Sequence, residues 1–126
     1  MEKQLIRTAK APQPIGPYSQ GVKAGNLVFI SAQGPIDPNT RKVVGTDIES
    51  QTRQVLENIR NILEATNLRL SNIVRTTVLL RNIADFKKMN EVYGKYFSEN
   101  PPARTTVQGE LPGPDMLILI DAIACQ

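Results

Sequence analysis

Apolar residues follow two different periods along this chain. Short runs that alternate, or that are rich in β-branched residues, predict strands, and longer runs with apolar residues at spacings of three and four predict amphipathic helices. The predicted strands span residues 5–7, 21–23, 27–31, 73–80, 103–108 and 116–124, and the predicted helices span residues 46–65 and 82–97. The predicted order of elements is therefore βββαβαββ.

Both predicted helices carry recognisable start signals. Thr46 and Glu49 have the spacing of a capping box, in which each side chain satisfies a free backbone N–H of the first turn. Asn82 is the predicted N-cap of the second helix. The inward-facing stripe predicted for that helix consists of Ile83, Phe86, Met89, Asn90, Tyr93 and Phe97. Each helix is thus expected to pack through one face.

The last predicted strand, residues 116–124, is apolar at nearly every position, so we expect it to be central in a sheet or covered on both sides. Strands that bracket two long helices indicate an α+β protein with a single sheet and both helices on one face. The other face of the sheet then needs another chain, and we expect an oligomer. No linker or repeat divides the sequence, so residues 1–126 are predicted to form a single domain.

Composition restricts the chemistry that this chain can perform. The sequence contains no histidine and one cysteine, Cys125. It therefore lacks the usual general base and the commonest metal ligand, and it can form neither an internal disulfide nor a multi-cysteine zinc site. We expect no metal and no cofactor. Carboxylates, arginine, lysine, tyrosine, hydroxyls, the thiol, backbone groups and water remain.

The basic residues are scattered, although the net charge is +3. The longest basic runs are two dipeptides, at 41–42 and 87–88, and a nucleic-acid footprint needs more clustering than that. No nucleic-acid partner is expected. No apolar stretch approaches the length of about 18 residues that a membrane span needs. Residues 1–7 do not resemble a secretion signal, and we expect a cytoplasmic protein without a membrane partner.

Three groups of residues are candidates for chemistry. Arg104 and Thr106 share one face of a strand that follows two prolines, and a guanidinium in that position suits bidentate binding of a carboxylate. An ion pair at a sheet edge is the alternative for this arginine. Tyr18 and Ser19 follow a stiff turn that either positions them in a cleft or is structural.

Asp121 is the third candidate, because it is a lone carboxylate in the most apolar strand. A buried acid needs a partner or has a shifted pKa, which makes it a candidate site residue. A structural ion pair with Arg75 or Arg104 explains the same pattern. These candidate residues alone do not identify the reaction that the protein catalyses.

Short motifs along almost the whole chain nevertheless have a familiar order and spacing. They are IGPYSQ at 15–20, SAQ at 31–33, QTRQ at 51–54, PAR at 102–104, LP at 111–112 and DAIA at 121–124. In this combination they resemble the Rid family (YjgF/RidA/RutC-like). The resemblance implies a chorismate-mutase-like α+β fold, assembled as a homotrimer with sites in the clefts between subunits.

The same resemblance implies a cofactor-independent hydrolase. Members of the family hydrolyse reactive 2-imino and enamine acids, such as those derived from 2-aminoacrylate and 2-aminocrotonate, to 2-oxo acids and ammonia. The implied partner is thus a small imine, enamine or 2-oxo acid that carries a carboxylate. A chain without histidine suits this chemistry, because the imine is already electrophilic and the enzyme mainly binds it and places a water.

The resemblance also assigns roles to single residues. Arg104 matches the arginine that pairs with the substrate carboxylate, and Tyr18 matches the tyrosine that lines the cleft. Thr106 takes the place of a frequent cysteine whose backbone groups take part. Ser31 and Ala32 lie in the segment that faces the ligand, and Asn90 matches a helix asparagine near the ligand.

Two departures from the family pattern bear on activity. Leu119 stands where the family has its water-activating glutamate, whereas Asp121 keeps the second acid of the motif and is a candidate substitute from about 7 Å along the strand. Ala32 replaces the usual glycine. A non-catalytic module that binds 2-oxo or amino acids in the same trimeric fold is therefore the alternative function. An RNA-binding or RNA-cleaving protein is a third, which the missing histidines disfavour.

Overall fold

The computed structural model describes residues 2–126, in which six strands form one mixed sheet beside two α-helices. The strands are β1 (Lys3–Ile6), β2 (Gly21–Ala24), β3 (Leu27–Gln33), β4 (Ile73–Leu80), β5 (Ala103–Gln108) and β6 (Ile118–Cys125), and the helices are α1 (Ile48–Glu64) and α2 (Phe86–Tyr96). Short 3-10 turns at Leu70–Asn72 and Ile83–Asp85 precede β4 and α2. The predicted order βββαβαββ is confirmed.

The sheet has the strand order β1-β2-β3-β6-β4-β5. Neighbouring strands are antiparallel except β4 and β5, which are parallel and are joined through α2. A parallel pair needs such a crossover connection. The central position of β6 confirms the expectation from its apolar sequence.

The start of α1 differs from the predicted capping box. The N-cap is Asp47, whose carboxylate accepts a hydrogen bond from the backbone N–H of Ser50 at 2.8 Å. The Ser50 hydroxyl donates to the same carboxylate. Thr46 is therefore not the cap, because the extended backbone of Asp47 places its side chain at the free N–H groups and the helix begins one residue later.

The second helix is also preceded by an element that the sequence pattern did not predict. Asn82 is a cap, but it accepts from Ala84 N at 2.9 Å and begins the 3-10 turn. The tighter turn rotates the first residues away from the core stripe. Ile83 and Phe86 are consequently 47% and 40% exposed, so their predicted inward position is wrong. The later stripe residues Met89, Tyr93 and Phe97 are buried.

The core lies between the helices and one face of the sheet. Alternate residues of β6 are buried there, namely Ile118, Ile120, Ala122 and Ala124. Helix α1 covers β3 and β6 with its apolar face and packs against α2. The Tyr93 hydroxyl of α2 is hydrogen-bonded to the Thr76 hydroxyl of β4 at 2.7 Å, which docks α2 on the same face. Both helices therefore lie on one side of the sheet, as predicted.

The opposite face of the sheet carries apolar side chains that no helix covers. The strand registers align Leu5, Val22, Phe29 and Ile123 in one row across the sheet. Leu5 is 64% exposed and Phe29 is 40% exposed. A second row consists of Val107, Leu79 and Leu119. We call this surface the open face.

Candidate functional site

A cleft of about 360 Å³ lies at one end of the central strands. Its walls come from the loop at 12–20, the end of β3, the loop at 109–116 and the first part of β6. Four of the residues that the sequence predicted for the site line this cleft: Tyr18, Ser31, Ala32 and Leu119. The strand order explains their meeting, because β3 and β6 are neighbours although they are far apart in sequence.

Hydrogen bonds fix the polar groups in the wall that the loop at 12–20 and the end of β3 form. The Ser31 hydroxyl donates to the carbonyl of Ser19 at 2.6 Å, and the half-exposed Tyr18 accepts from Ile15 N at 3.3 Å. The buried Gln20 side chain accepts from Thr8 N at 2.7 Å and also donates to carbonyls of the loop before it. Sequence reasoning missed the positioning role of Gln20, for which the only signal was its place in the motif at 15–20.

Two side chains fix the backbone of residues 113–117, which forms the opposite wall of the cleft. Arg81 Nε donates to the carbonyl of Met116 at 2.7 Å, and one of its terminal nitrogens donates to the carbonyl of Gly113 at 2.7 Å. The buried Gln51 amide donates to the carbonyl of Asp115 at 2.9 Å and accepts from Leu117 N at 2.7 Å. Neither residue was predicted to contribute, because a pattern of apolar positions carries no information on such long-range contacts.

A second group of predicted residues lies around Arg104. Arg104 and Thr106 share the helix-facing side of β5, as the strand alternation predicted. The Arg104 guanidinium lies 4.7 Å from the centre of the Tyr93 ring and 5.6 Å from that of Phe86. Burial raises the pKa of the Tyr93 hydroxyl, which keeps this ring neutral. The rings hold the cation through cation–π contacts.

Two buried polar atoms on the same side of the protein have no hydrogen-bond partner within residues 2–126. They are Asn90 Oδ1 and Thr106 Oγ1. Asn90 lies on α2 between Phe86 and Tyr93 at helical spacing, so it faces the side on which Arg104 lies. Buried polar atoms are rarely left unpaired in folded proteins. Thr106 lies two residues after Arg104 on the same face of β5, so its hydroxyl can donate to an anion beside the cation, whereas the Asn90 oxygen can only accept a hydrogen bond.

The expected ion pairs are not formed in the described part of the chain. No acidic side chain among residues 2–126 forms a salt bridge with Arg104 or Arg75. Arg75 donates instead to the Thr105 hydroxyl at 2.6 Å. Asp121 accepts from the backbone N–H of Thr77 at 3.1 Å, so this acid is satisfied locally and the predicted pairing with an arginine is wrong.

The predicted site residues therefore form two separate groups in one chain. Ser31 lies on β3 and Arg104 on β5, with β6 and β4 between them, which separates the two strands by about 14 Å. Leu119 lies on the open face, whereas Arg104 lies on the helix face. Asp121 shares the open face with Leu119 but does not line the cleft. Its role as an acid substitute stays a prediction.

Neither a metal centre nor a membrane span is found between residues 2 and 126. No three histidine, cysteine, aspartate or glutamate side chains in this range lie together in a way that could hold a metal ion. No helix in this range is both long and apolar enough to cross a membrane.

Comparison with known proteins decides the family. The model of the family described as Endoribonuclease L-PSP matches residues 8–126. A RutC family protein of Pyrococcus horikoshii is 54% identical over 122 residues, which are 97% of each chain. The protein is a member of the Rid family (YjgF/RidA/RutC). The family resemblance of the sequence motifs is thereby confirmed.

Other Rid family members with this fold carry more specific names. The human protein named 2-iminobutanoate/2-iminopropanoate deaminase is 40% identical and is matched over 98% of this chain and 90% of its own. The structure of Escherichia coli TdcF with bound serine superposes with a TM-score of 0.92 at 38% identity and covers 98% of both chains. The family thus includes a protein named as a deaminase and one that holds an amino acid.

Proposed function

We propose that this protein hydrolyses 2-imino acids to 2-oxo acids and ammonia without a cofactor. The observation that carries the proposal is the environment of Arg104, a cation without an acidic partner within residues 2–126 that shares a strand face with the unpartnered Thr106 hydroxyl. A guanidinium in such a place binds a carboxylate through paired, charge-assisted hydrogen bonds. The human relative that is named as an imino-acid deaminase supports the same reaction.

The reaction requires the protein mainly to bind the substrate and to place a water molecule. Water adds to the electrophilic C=N carbon, the resulting carbinolamine loses ammonia, and a C=O bond replaces the C=N bond. Arg104 fixes the carboxylate, while the Tyr18 hydroxyl and backbone carbonyls of the cleft hold the water. Thr106 and Asn90 complete the polar contacts of the substrate, and positioning of this kind lowers the barrier by removing the entropy cost of the encounter.

We further infer that a homotrimer unites the two groups of residues. The cleft of one chain and the Arg104 group of a neighbouring chain then form one site. Two observations support this arrangement: the groups are separated within one chain, and the open face carries exposed apolar residues that a second subunit would cover. Cyclic oligomers with the same interface repeated at each junction are common among soluble proteins.

A non-catalytic module that binds amino or 2-oxo acids is the second candidate. Leu119 favours it, because a leucine cannot activate water where the family has a glutamate. The solved relative with bound serine also favours it. In this function Arg104 keeps its role, so the two candidates differ in turnover and not in binding.

The rate at which the protein hydrolyses an imine that is generated in the assay mixture distinguishes the two candidate functions. A threonine dehydratase supplies 2-aminocrotonate, and the rate of 2-oxobutanoate formation is measured with wild type, Arg104→Ala and Leu119→Glu. The wild type is expected to accelerate the reaction, and Arg104→Ala to lose about tenfold to a hundredfold because a charge-assisted contact is removed. Arg53→Ala, an exposed arginine on α1, is the matched control and keeps full activity.

Three results would contradict the proposal or a part of it. If the wild type does not increase the rate of 2-oxobutanoate formation above the uncatalysed rate, whereas Leu119→Glu does, the protein is a binding module. A fully active Arg104→Ala variant shows that the carboxylate anchor lies elsewhere. Salt-sensitive retention of RNA with cleavage would favour the RNA-directed function that the family description names.

A further inference from the structure

Two aromatic rings at the start and in the later half of α2 lie beneath the Arg104 side chain. The guanidinium carbon is 4.7 Å from the centre of the Tyr93 ring and 5.6 Å from the centre of the Phe86 ring. Phe86 and Tyr93 are seven residues apart, so two turns of the helix bring both rings to one of its faces. We call these two rings the aromatic pair. No carboxylate within residues 2–126 forms a salt bridge with the cation that they hold.

Tyr93 is the more firmly fixed member of the aromatic pair. It is buried, whereas Phe86 is partly exposed. Its hydroxyl is hydrogen-bonded to that of the fully buried Thr76 at 2.7 Å, and the Phe97 ring packs against it with 4.6 Å between the ring centres. A ring held both at its hydroxyl and along its side cannot turn without breaking one of these contacts. The position of Tyr93 is therefore set by the fold and not by a ligand.

The strand register relates this ring to the arginine. Thr76 of β4 is the direct partner of Arg104 in the parallel pair of β4 and β5. Side chains at directly opposite positions of neighbouring strands lie on the same face of the sheet. The residue that bonds the Tyr93 hydroxyl and the residue that carries the guanidinium thus extend from adjacent points of one strand pair, which fixes the ring relative to the base of the arginine side chain.

We propose that the aromatic pair positions the Arg104 guanidinium for the substrate carboxylate. The inference rests on the proposed function, in which Arg104 is the carboxylate anchor. A ring face attracts the flat side of a guanidinium and leaves the N–H groups at its edge available for the paired hydrogen bonds that a carboxylate accepts. A long side chain that is already held in one orientation also loses less entropy when the substrate binds.

Loss of either ring is expected to weaken substrate binding. KM and kcat for 2-aminocrotonate are measured on the intact protein, with the imine supplied by a threonine dehydratase. Tyr93→Leu should raise KM about threefold to thirtyfold, the range that corresponds to one lost cation–π contact. Phe86→Leu changes a partly exposed residue and should raise KM less, because this ring is farther from the cation. The value of kcat should change less than KM, because the carboxylate is bound alike before and during the reaction.

Two further variants distinguish positioning of Arg104 from packing of the helix. Tyr93→Phe keeps the ring face and should retain a KM within about threefold of the wild type, because burial and the Phe97 contact still hold the ring. Tyr96→Leu is the matched control, since it removes a ring of the same helix that lies 5.2 Å from another guanidinium, that of Arg60. It should lower Tm and leave KM unchanged. A variant that is only destabilised loses folded protein, which lowers the apparent kcat and not KM.

Chemical rescue gives a readout that packing of the helix does not change. Arg104→Ala leaves the aromatic pair in place beside the space of the missing guanidinium. Millimolar guanidinium chloride should therefore restore part of the lost hydrolysis by binding to the ring faces. The double variant Arg104→Ala/Tyr93→Leu should not be rescued. Urea at the same concentration, which has a similar shape but no charge, is the control and should restore no activity.

The outcomes separate this inference from the function on which it rests. Unchanged KM in both Tyr93→Leu and Phe86→Leu, failure of guanidinium to rescue Arg104→Ala, or rescue that persists without the Tyr93 ring each overturns the positioning role and leaves Arg104 as the anchor. A Tyr93→Phe variant as impaired as Tyr93→Leu also overturns it, because the hydroxyl and not the ring face would then carry the effect. A wild type that hydrolyses no imine overturns the proposed function and this inference together.

Discussion

Arg104 differs from other arginines of the chain in what surrounds its guanidinium. Arg60 is paired with Glu57 at 2.6 Å, and Arg81 is engaged by backbone carbonyls. Arg104 instead lies over two aromatic rings. Ring faces attract a cation without neutralising its charge, so Arg104 keeps its capacity to bind a carboxylate.

Tyr96 allows a prediction on pH dependence at the scale of a single residue. Burial, followed by the hydrogen bond that its hydroxyl donates to Glu57 at 2.8 Å, raises the pKa of Tyr96 to about 12. The unfolded chain loses this proton near the ordinary pKa of 10.0. The contribution to stability is therefore complete below about pH 10 and is lost as the pH rises towards 12.

Ultraviolet titration of phenolate and unfolding by denaturant check this prediction. Tyr96→Phe is expected to remove one of two late ionisations, the other belonging to Tyr93, whose pKa is also raised, and to lessen the fall of the unfolding free energy between about pH 10 and pH 12. Tyr18→Phe, in the cleft, is the control and should leave both late ionisations in place. A Tyr96→Phe variant in which as many phenols titrate late as in the wild type would contradict the assignment to Tyr96.

At the scale of elements, the start of α1 gives a second prediction. Hydrogen bonds from Ser50 hold the pKa of Asp47 below its usual value, so the carboxylate cap contributes to stability above the ordinary pKa of 3.8. Asp47→Ala is expected to lower Tm at neutral pH because a free N–H of the first turn loses its acceptor. Thr46→Ala is the matched control, since Thr46 is not the cap.

Thermal unfolding as a function of pH measures the effect. The difference in Tm between wild type and Asp47→Ala should shrink as the pH falls through the lowered pKa of Asp47, because the carboxylate becomes protonated there. A larger loss of stability in Thr46→Ala than in Asp47→Ala would instead restore the capping box that the sequence pattern predicted.

The elements themselves were largely predictable from local patterns. The bounds of β4 and β5 agree with the predicted ranges 73–80 and 103–108, because β-branched runs between clear turn signals leave few alternatives. The start of β6 at Ile118 was predicted two residues too early. The carbonyl of Met116 and the N–H of Leu117 are bonded to the side chains of Arg81 and Gln51, which no local pattern reveals.

At the scale of the whole molecule, the site was only partly predictable. Tyr18, Ser31, Ala32 and Leu119 line one cleft, and their roles towards a ligand stay a prediction. Met116, which also lines the cleft, was assigned only to a strand, because its contact with the distant Gly34 depends on the tertiary fold. The separation of Arg104 from the cleft follows from the strand order, which the sequence did not determine.

Subunit complementation tests the central claim, that one site takes Arg104 from one chain and the cleft from another. Arg104→Ala removes the carboxylate anchor, and Ala32→Phe fills the cleft from an exposed position. Each variant alone is expected to lose the hydrolysis of 2-aminocrotonate. The two are unfolded together and refolded at equal concentration, and a tag on one of them confirms mixed oligomers.

Random mixing gives about a quarter of the junctions an intact Arg104 facing an intact cleft, because each of the two conditions is met in about half of the cases. The account therefore predicts that the mixture recovers about a quarter of the wild-type rate. Mixed oligomers that show no more activity than the two variants measured separately would contradict it, because the anchor and the cleft would then act within one chain.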